Sequence, residues 1–190
     1  SGHFLVAAID HIEAQFSNFL AENQINHVSS EIAALRDAAK DALGTLADRY
    51  ELDSPQILRR LIARRCIYGC DLNPVSVELA RLGIWIHTFV PGLPLGFLDQ
   101  NLISGNSLTG IGTLSEIDDC LPEGNLVTPF VNDLLDKAKV ALRKIANIND
   151  ATIKDIEKAR DASIAAEENL VPLRRLFDLL VLHRAGLLEI

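Results

Sequence analysis

The segment CIYGCDLNPVSVELARLGIWIHTF, residues 66–89, constrains the fold most tightly. A short apolar run ends in Asp71, and Asn73-Pro74 follows at once, before a helical pattern through Val77, Leu79, Leu82, Ile86 and Phe89. An asparagine side chain accepts from the free N–H groups of a helix start, and the fixed φ of proline suits the first helical position. A strand, a tight turn and an Asn-capped helix are therefore expected, which is half of a βαβ unit. Pro91, Gly92 and Pro94 close the helix, and Leu102-Ile103-Ser104 before Gly105 reads as a second short strand. Strands joined through a helix run parallel, so the class expected is α/β.

The rest of the chain reads as helix. Leu5, Ala8, Ile9, Ile12, Phe16, Phe19 and Leu20 recur mostly at three- and four-residue steps over residues 4–20. Val28, Ile32, Leu35, Ala39, Leu43, Leu46 and Tyr50 repeat the pattern over residues 28–50, with Ser29 or Ser30 as the expected cap. Ser54-Pro55 then opens a short helix that turns Ile57, Leu58, Leu61 and Ile62 inward. Its other face carries Arg59, Arg60, Arg64 and Arg65, read as solvated in preference to phosphate-binding.

Residues 111–127 hold glycine, proline and acids without period and read as a linker. Beyond them, residues 128–190 suggest an antiparallel helical hairpin. One arm turns Leu134, Leu135, Ala138, Leu142 and Ile145 inward, and the other runs over residues 153–182. Asn147-Ile148-Asn149-Asp150 supplies turn and capping chemistry between the arms, and Pro172 is expected to kink or divide the second.

Composition narrows the function classes. The formal charge is -8, whereas a surface that grips nucleic acid displaces counterions with Lys and Arg, so any DNA substrate is expected to be held mainly outside this chain. No apolar run approaches the ~18 uncharged residues of a membrane span. Residues 1–5 carry no basic leader, and Met is absent throughout, so a cytoplasmic chain whose first residue is not a natural start is expected. Cys66, Cys70 and Cys120 lack metal-ligand spacing and read as reduced, mostly buried thiols. His3, His11, His27, His87 and His183 are scattered and read as structural or surface residues.

Three segments carry candidate chemistry: SGHFLVAA at 1–8, YGCDLNPVSVELA at 68–80 and ISGNSL at 103–108. The first is a glycine turn running into a helix, whose free N–H groups and positive dipole end suit a carboxylate. The second puts Asp71 at the carboxyl end of a parallel strand, where an acid accepts both hydroxyls of a ribose. The third places Asn106 after the second strand, where its amide suits an adenine edge. Taken singly, each also reads as a capped helix, a turn aspartate or a turn asparagine.

Together and in this order the three segments resemble successive motifs of the adenine-specific DNA methyltransferases of restriction-modification and phage-defence systems. That family has a Rossmann-like fold and the pattern Asp-Pro-x-x-Gly-Ser-Gly-x-Phe-Leu, of which Ser1-Gly2-His3-Phe4-Leu5 forms the end. Tyr68, Gly69, Asp71, Asn73, Pro74, Val77, Glu78, Leu79 and Ala80 match its second motif. The stretch 94–99 leading to Gly105-Asn106-Ser107-Leu108 resembles the approach to its third. The resemblance implies S-adenosylmethionine as cofactor. Ser1, Gly2, His3 and Phe4 would lie at its methionine part, Asp71 at its ribose and Asn106 at its adenine amine, with Leu72 and Leu108 flanking the ring.

The chain departs from the family in two ways. Gly2 and Asp71 lie much further apart than the ~20 residues of a simple Rossmann unit, so residues 28–50 read as a helical insertion. The family's Asn/Asp-Pro-Pro-Tyr/Phe motif, which holds the flipped adenine, is missing. Asn73-Pro74-Val75 lacks the second proline and the aromatic. The reading is thus a predominantly helical α/β fragment. Residues 1–110 form a partial cofactor-binding core, 111–127 a linker and 128–190 a hairpin insertion. The fragment is expected to lack catalytic residues and turnover of its own and to bind cofactor weakly or not at all. Its parent would transfer a methyl group to the adenine amine of DNA by direct displacement. Methylation of RNA or of a protein amide, and a non-catalytic interaction module on a degenerate core, are the alternatives.

Overall fold

The computed structural model describes residues 2–96, 98–110, 113, 116, 117, 127–148 and 150–188. It is a predominantly helical α/β structure whose elements are α1 (His3–Glu22), α2 (Asn26–Leu43), a 3-10 segment (Gly44–Arg49), α3 (Ser54–Cys66), β1 (Gly69–Asp71), α4 (Pro74–His87), β2 (Leu102–Ser104), α5 (Val127–Asn147) and α6 (Ile153–Arg184). Two compact units emerge. The first comprises residues 1–105 and 149–158, the second residues 106–148 and 159–190.

In the first unit the apolar stripes of four helices meet in one core. Ile9 of α1, Leu35 and Ala39 of α2, Ile57 of α3 and Ile84 of α4 are each fully excluded from water. Burying a Leu or Ile side chain contributes roughly 1.5–3 kcal/mol. α2 is shorter than the expected helix because Gly44, at φ 54° and ψ -124°, leaves helical geometry, and the chain continues as 3-10 turns. Neither expected serine caps α2. Ile25 occupies the cap position, and Ser30 Oγ instead donates back to the His27 carbonyl at 2.9 Å. Asp53, one residue earlier than expected, flanks α3.

β1 and β2 pair in parallel, with Gly69 opposite Leu102, Cys70 opposite Ile103 and Asp71 opposite Ser104. Their placement depends on Asn101. Its buried amide donates to the carbonyls of Arg64 (2.8 Å) and Ile67 (2.9 Å), satisfying acceptors left over at the end of α3. Its own carbonyl accepts from Gly69 N–H at 2.8 Å, which starts the ladder. One residue thus ties the exit of α3 to both strands.

Three further expectations are corrected in this unit. Of the sequence stripe on α4 only Val77 is buried, together with Ala80 and Ile84, while Leu79, Leu82 and Ile86, and Phe89 just beyond the helix, are exposed. α4 is apolar on most sides, so periodicity alone cannot choose the inward face. The arginine face of α3 is solvated only in part: Arg65 is exposed and Arg59 half-buried, but the two arginines between them are not. Arg60 and Arg64 are 4% and 8% exposed, because Asp150, far along the chain, enters the core between them. Cys66 and Cys70 are exposed rather than buried, since the apolar run that holds them lies at a helix end and in a strand only three residues long. Cys120 lies outside the described residues.

Asp150 Oδ2 sits 2.8 Å from Arg60 and Oδ1 3.3 Å from Arg64, and Arg60 also donates to the Asp150 carbonyl at 3.1 Å. Burial lowers the pKa of Arg60 from its ordinary value. The charge of Asp150 and the hydrogen bond its carboxylate accepts from Arg60 oppose that shift, and the like charge of Arg64 adds to it. Asp150 therefore serves the core, while the start of α6 is capped by Thr152 and Asp155. Asp155 N–H donates to Thr152 Oγ1 (3.2 Å) and Thr152 N–H to Asp155 Oδ2 (3.1 Å), a reciprocal capping box.

In the second unit Val131, near the start of α5, shares a cluster with Leu173 and Leu180, in the second half of α6. The helices are therefore antiparallel. Ala138 and Ile145 are buried, but Leu142 is 41% exposed and does not join the inward face. Pro172 lies inside α6 without dividing it. Leu170, Leu173, Leu176 and Phe177, its neighbours in sequence, belong to the apolar cluster, and such packing offsets the hydrogen bond that proline forgoes. Most of the expected linker lies outside the described residues.

Candidate functional site

Two of the three candidate segments border one cavity of about 280 Å³ in the first unit. Gly2, Phe4 and Leu5 line it from the start of α1. Gly69, Cys70 and Asp71 line it from β1, Ser76, Val77 and Ala80 from α4, and Leu102 from β2. Gly2 adopts the left-handed conformation at φ 74°, and a Cβ there would lie 2.8 Å from the Cα of Ala80. Glycine is thus required both by the turn and by the close approach of the α1 start to α4.

Asp71 ends β1 and is exposed. Its Oδ1 accepts from Asn73 N–H at 2.8 Å, and Asn73 Oδ1 accepts in turn from Val75 N–H at 2.9 Å as the cap of α4. The Asp71 carbonyl accepts from Gly105 N–H at 3.0 Å, which extends the pairing past the end of β2. The carboxylate is therefore oriented by its own turn. With about four acceptor positions on a carboxylate, one bond to Asn73 leaves capacity for a vicinal diol.

The remaining expected residues are placed as follows. His3 and Leu72 belong to the first unit but do not line the cavity; both are exposed, Leu72 at 72%. Ser1 lies outside the described residues. Asn106 and Leu108 belong to the second unit, where Asn106 Oδ1 accepts from the N–H groups of Leu108 (2.9 Å) and Thr109 (3.3 Å). Leu108, 91% exposed, borders a different cavity of about 600 Å³ with Arg184 and Glu116. Sequence reasoning missed Leu5, Gly69, Cys70, Ser76, Val77, Ala80 and Leu102 as wall residues. Ala80 matches the resembled motif but carries no reactive group, and its place in the wall becomes visible only through its contact with Gly2.

The arginines of α3 are all matched with acids. Arg59 pairs with Asp10 (3.3 Å) and Glu13 (3.2 Å), Arg60 and Arg64 with Asp150, and Arg65 with Glu31 (2.6 Å). His87 Nε2 lies 2.7 Å from Asp10 Oδ1. Among the described residues no group of three or more His, Cys, Asp or Glu is placed to hold a metal ion, and no helix is long and apolar enough to cross a membrane.

No family model, curated protein or solved structure matches the chain. The functional reading therefore rests on the residues and the geometry of the cavity.

Proposed function

We propose that the first unit is the partial cofactor core of a Rossmann-like methyltransferase that takes S-adenosylmethionine, and that the parent protein methylates the adenine amine of DNA. The observation that carries this reading is the meeting of Gly2 and Asp71 at one cavity despite the long helical excursion between them. Two motif positions that the resemblance assigns to one ligand thus share a wall.

The donor set fits parts of that ligand. The first turn of α1 offers N–H groups without intrahelical acceptors and a positive dipole end, suited to the amino-acid carboxylate. Asp71, at the strand end, suits the ribose hydroxyls. A volume of about 280 Å³ falls just under the ~300–1,000 Å³ of small-molecule sites, in keeping with a partial pocket. The cofactor would supply an activated methyl group on sulfonium. The chain's own residues would hold and orient it. The pairing of every α3 arginine with an acid supports a DNA grip that lies elsewhere in the parent protein.

Calorimetric titration of the intact protein with S-adenosylmethionine, for the wild type and for Asp71→Ala, tests the reading. Binding that weakens in the variant is expected. Equal affinity in the two proteins would remove Asp71 from the site, and no binding by the wild type would overturn the proposal.

A further inference from the structure

We draw no further inference here: the strongest candidate, the exposed apolar face of α4 formed by Val75, Leu79, Leu82 and Ile86, carries nothing because nothing in the structure shows what covers it.

Discussion

Gly2 packs so closely on Ala80 that any Cβ at position 2 would stand 2.8 Å from the Ala80 Cα. This contact brings the start of α1 to α4 and forms one corner of the cavity. Gly2→Ala is expected to destabilise the fold by about 1–3 kcal/mol, from the left-handed strain and the clash together. Gly83→Ala is the control. It lies inside α4 with no heavy atom within 4 Å of the added Cβ, so a gain of up to ~1 kcal/mol is expected. Equal shifts of the two unfolding midpoints would refute the close-contact argument.

Asp150 is the sole acid paired with two buried arginines among the described residues. Removing one partner of a buried ionic group costs roughly 3–5 kcal/mol, whereas replacing the whole group with apolar residues is often neutral. Asp150→Ala should therefore destabilise strongly in urea titration. The triple replacement Arg60→Met, Arg64→Met, Asp150→Leu should restore most of the loss. A triple variant less stable than Asp150→Ala would count against an electrostatic cause.

The choice of inward face on α4 is open to direct measurement. Ile84 is fully buried and Ile86 is 70% exposed. Ile84→Ala is expected to cost about 2–5 kcal/mol, as for core truncations, and Ile86→Ala no more than ~0.5 kcal/mol. The opposite order would mean that the stripe legible in the sequence is the buried one after all.

For the proposed cofactor, Asp71→Ala removes charged hydrogen bonds worth roughly 1.5–3 kcal/mol, or a loss of about 10- to 100-fold in affinity. Asp71→Asn keeps an oxygen acceptor for Asn73 N–H while removing the charge. It should retain the unfolding midpoint and still bind weakly, which separates a ligand role from a turn role. Asn tracking the wild type in both measurements would favour the turn role.

The arginines of α3 are expected to contribute nothing to DNA affinity. Arg59→Ala and Arg65→Ala should leave both the affinity and its salt dependence unchanged in fluorescence anisotropy with the intact protein. A phosphate contact would instead lower the salt slope by about one for each arginine.

Local chemistry made much of this protein legible before any coordinates. Asn73 and Pro74 announced the start of α4, the apolar run before them announced β1, and three- and four-residue steps announced α1 to α3. These signals lie within a few residues of what they specify, so a single sequence carries them. The Gly2 and Asp71 candidates were likewise legible as motif positions, and both line the cavity.

Long-range pairing decided the rest. The arginine stripe of α3 looks like a water-facing surface until Asp150, beyond the whole of α5, brings its carboxylate between Arg60 and Arg64. α4 presents apolar residues on opposite sides, and the small face of Ala80 was selected by Gly2, a residue in another element. The strand pairing likewise needed Asn101 to reach back to α3. Periodicity reports that a helix has an apolar side but not which neighbour will cover it, because that depends on side chains meeting only after the chain has folded.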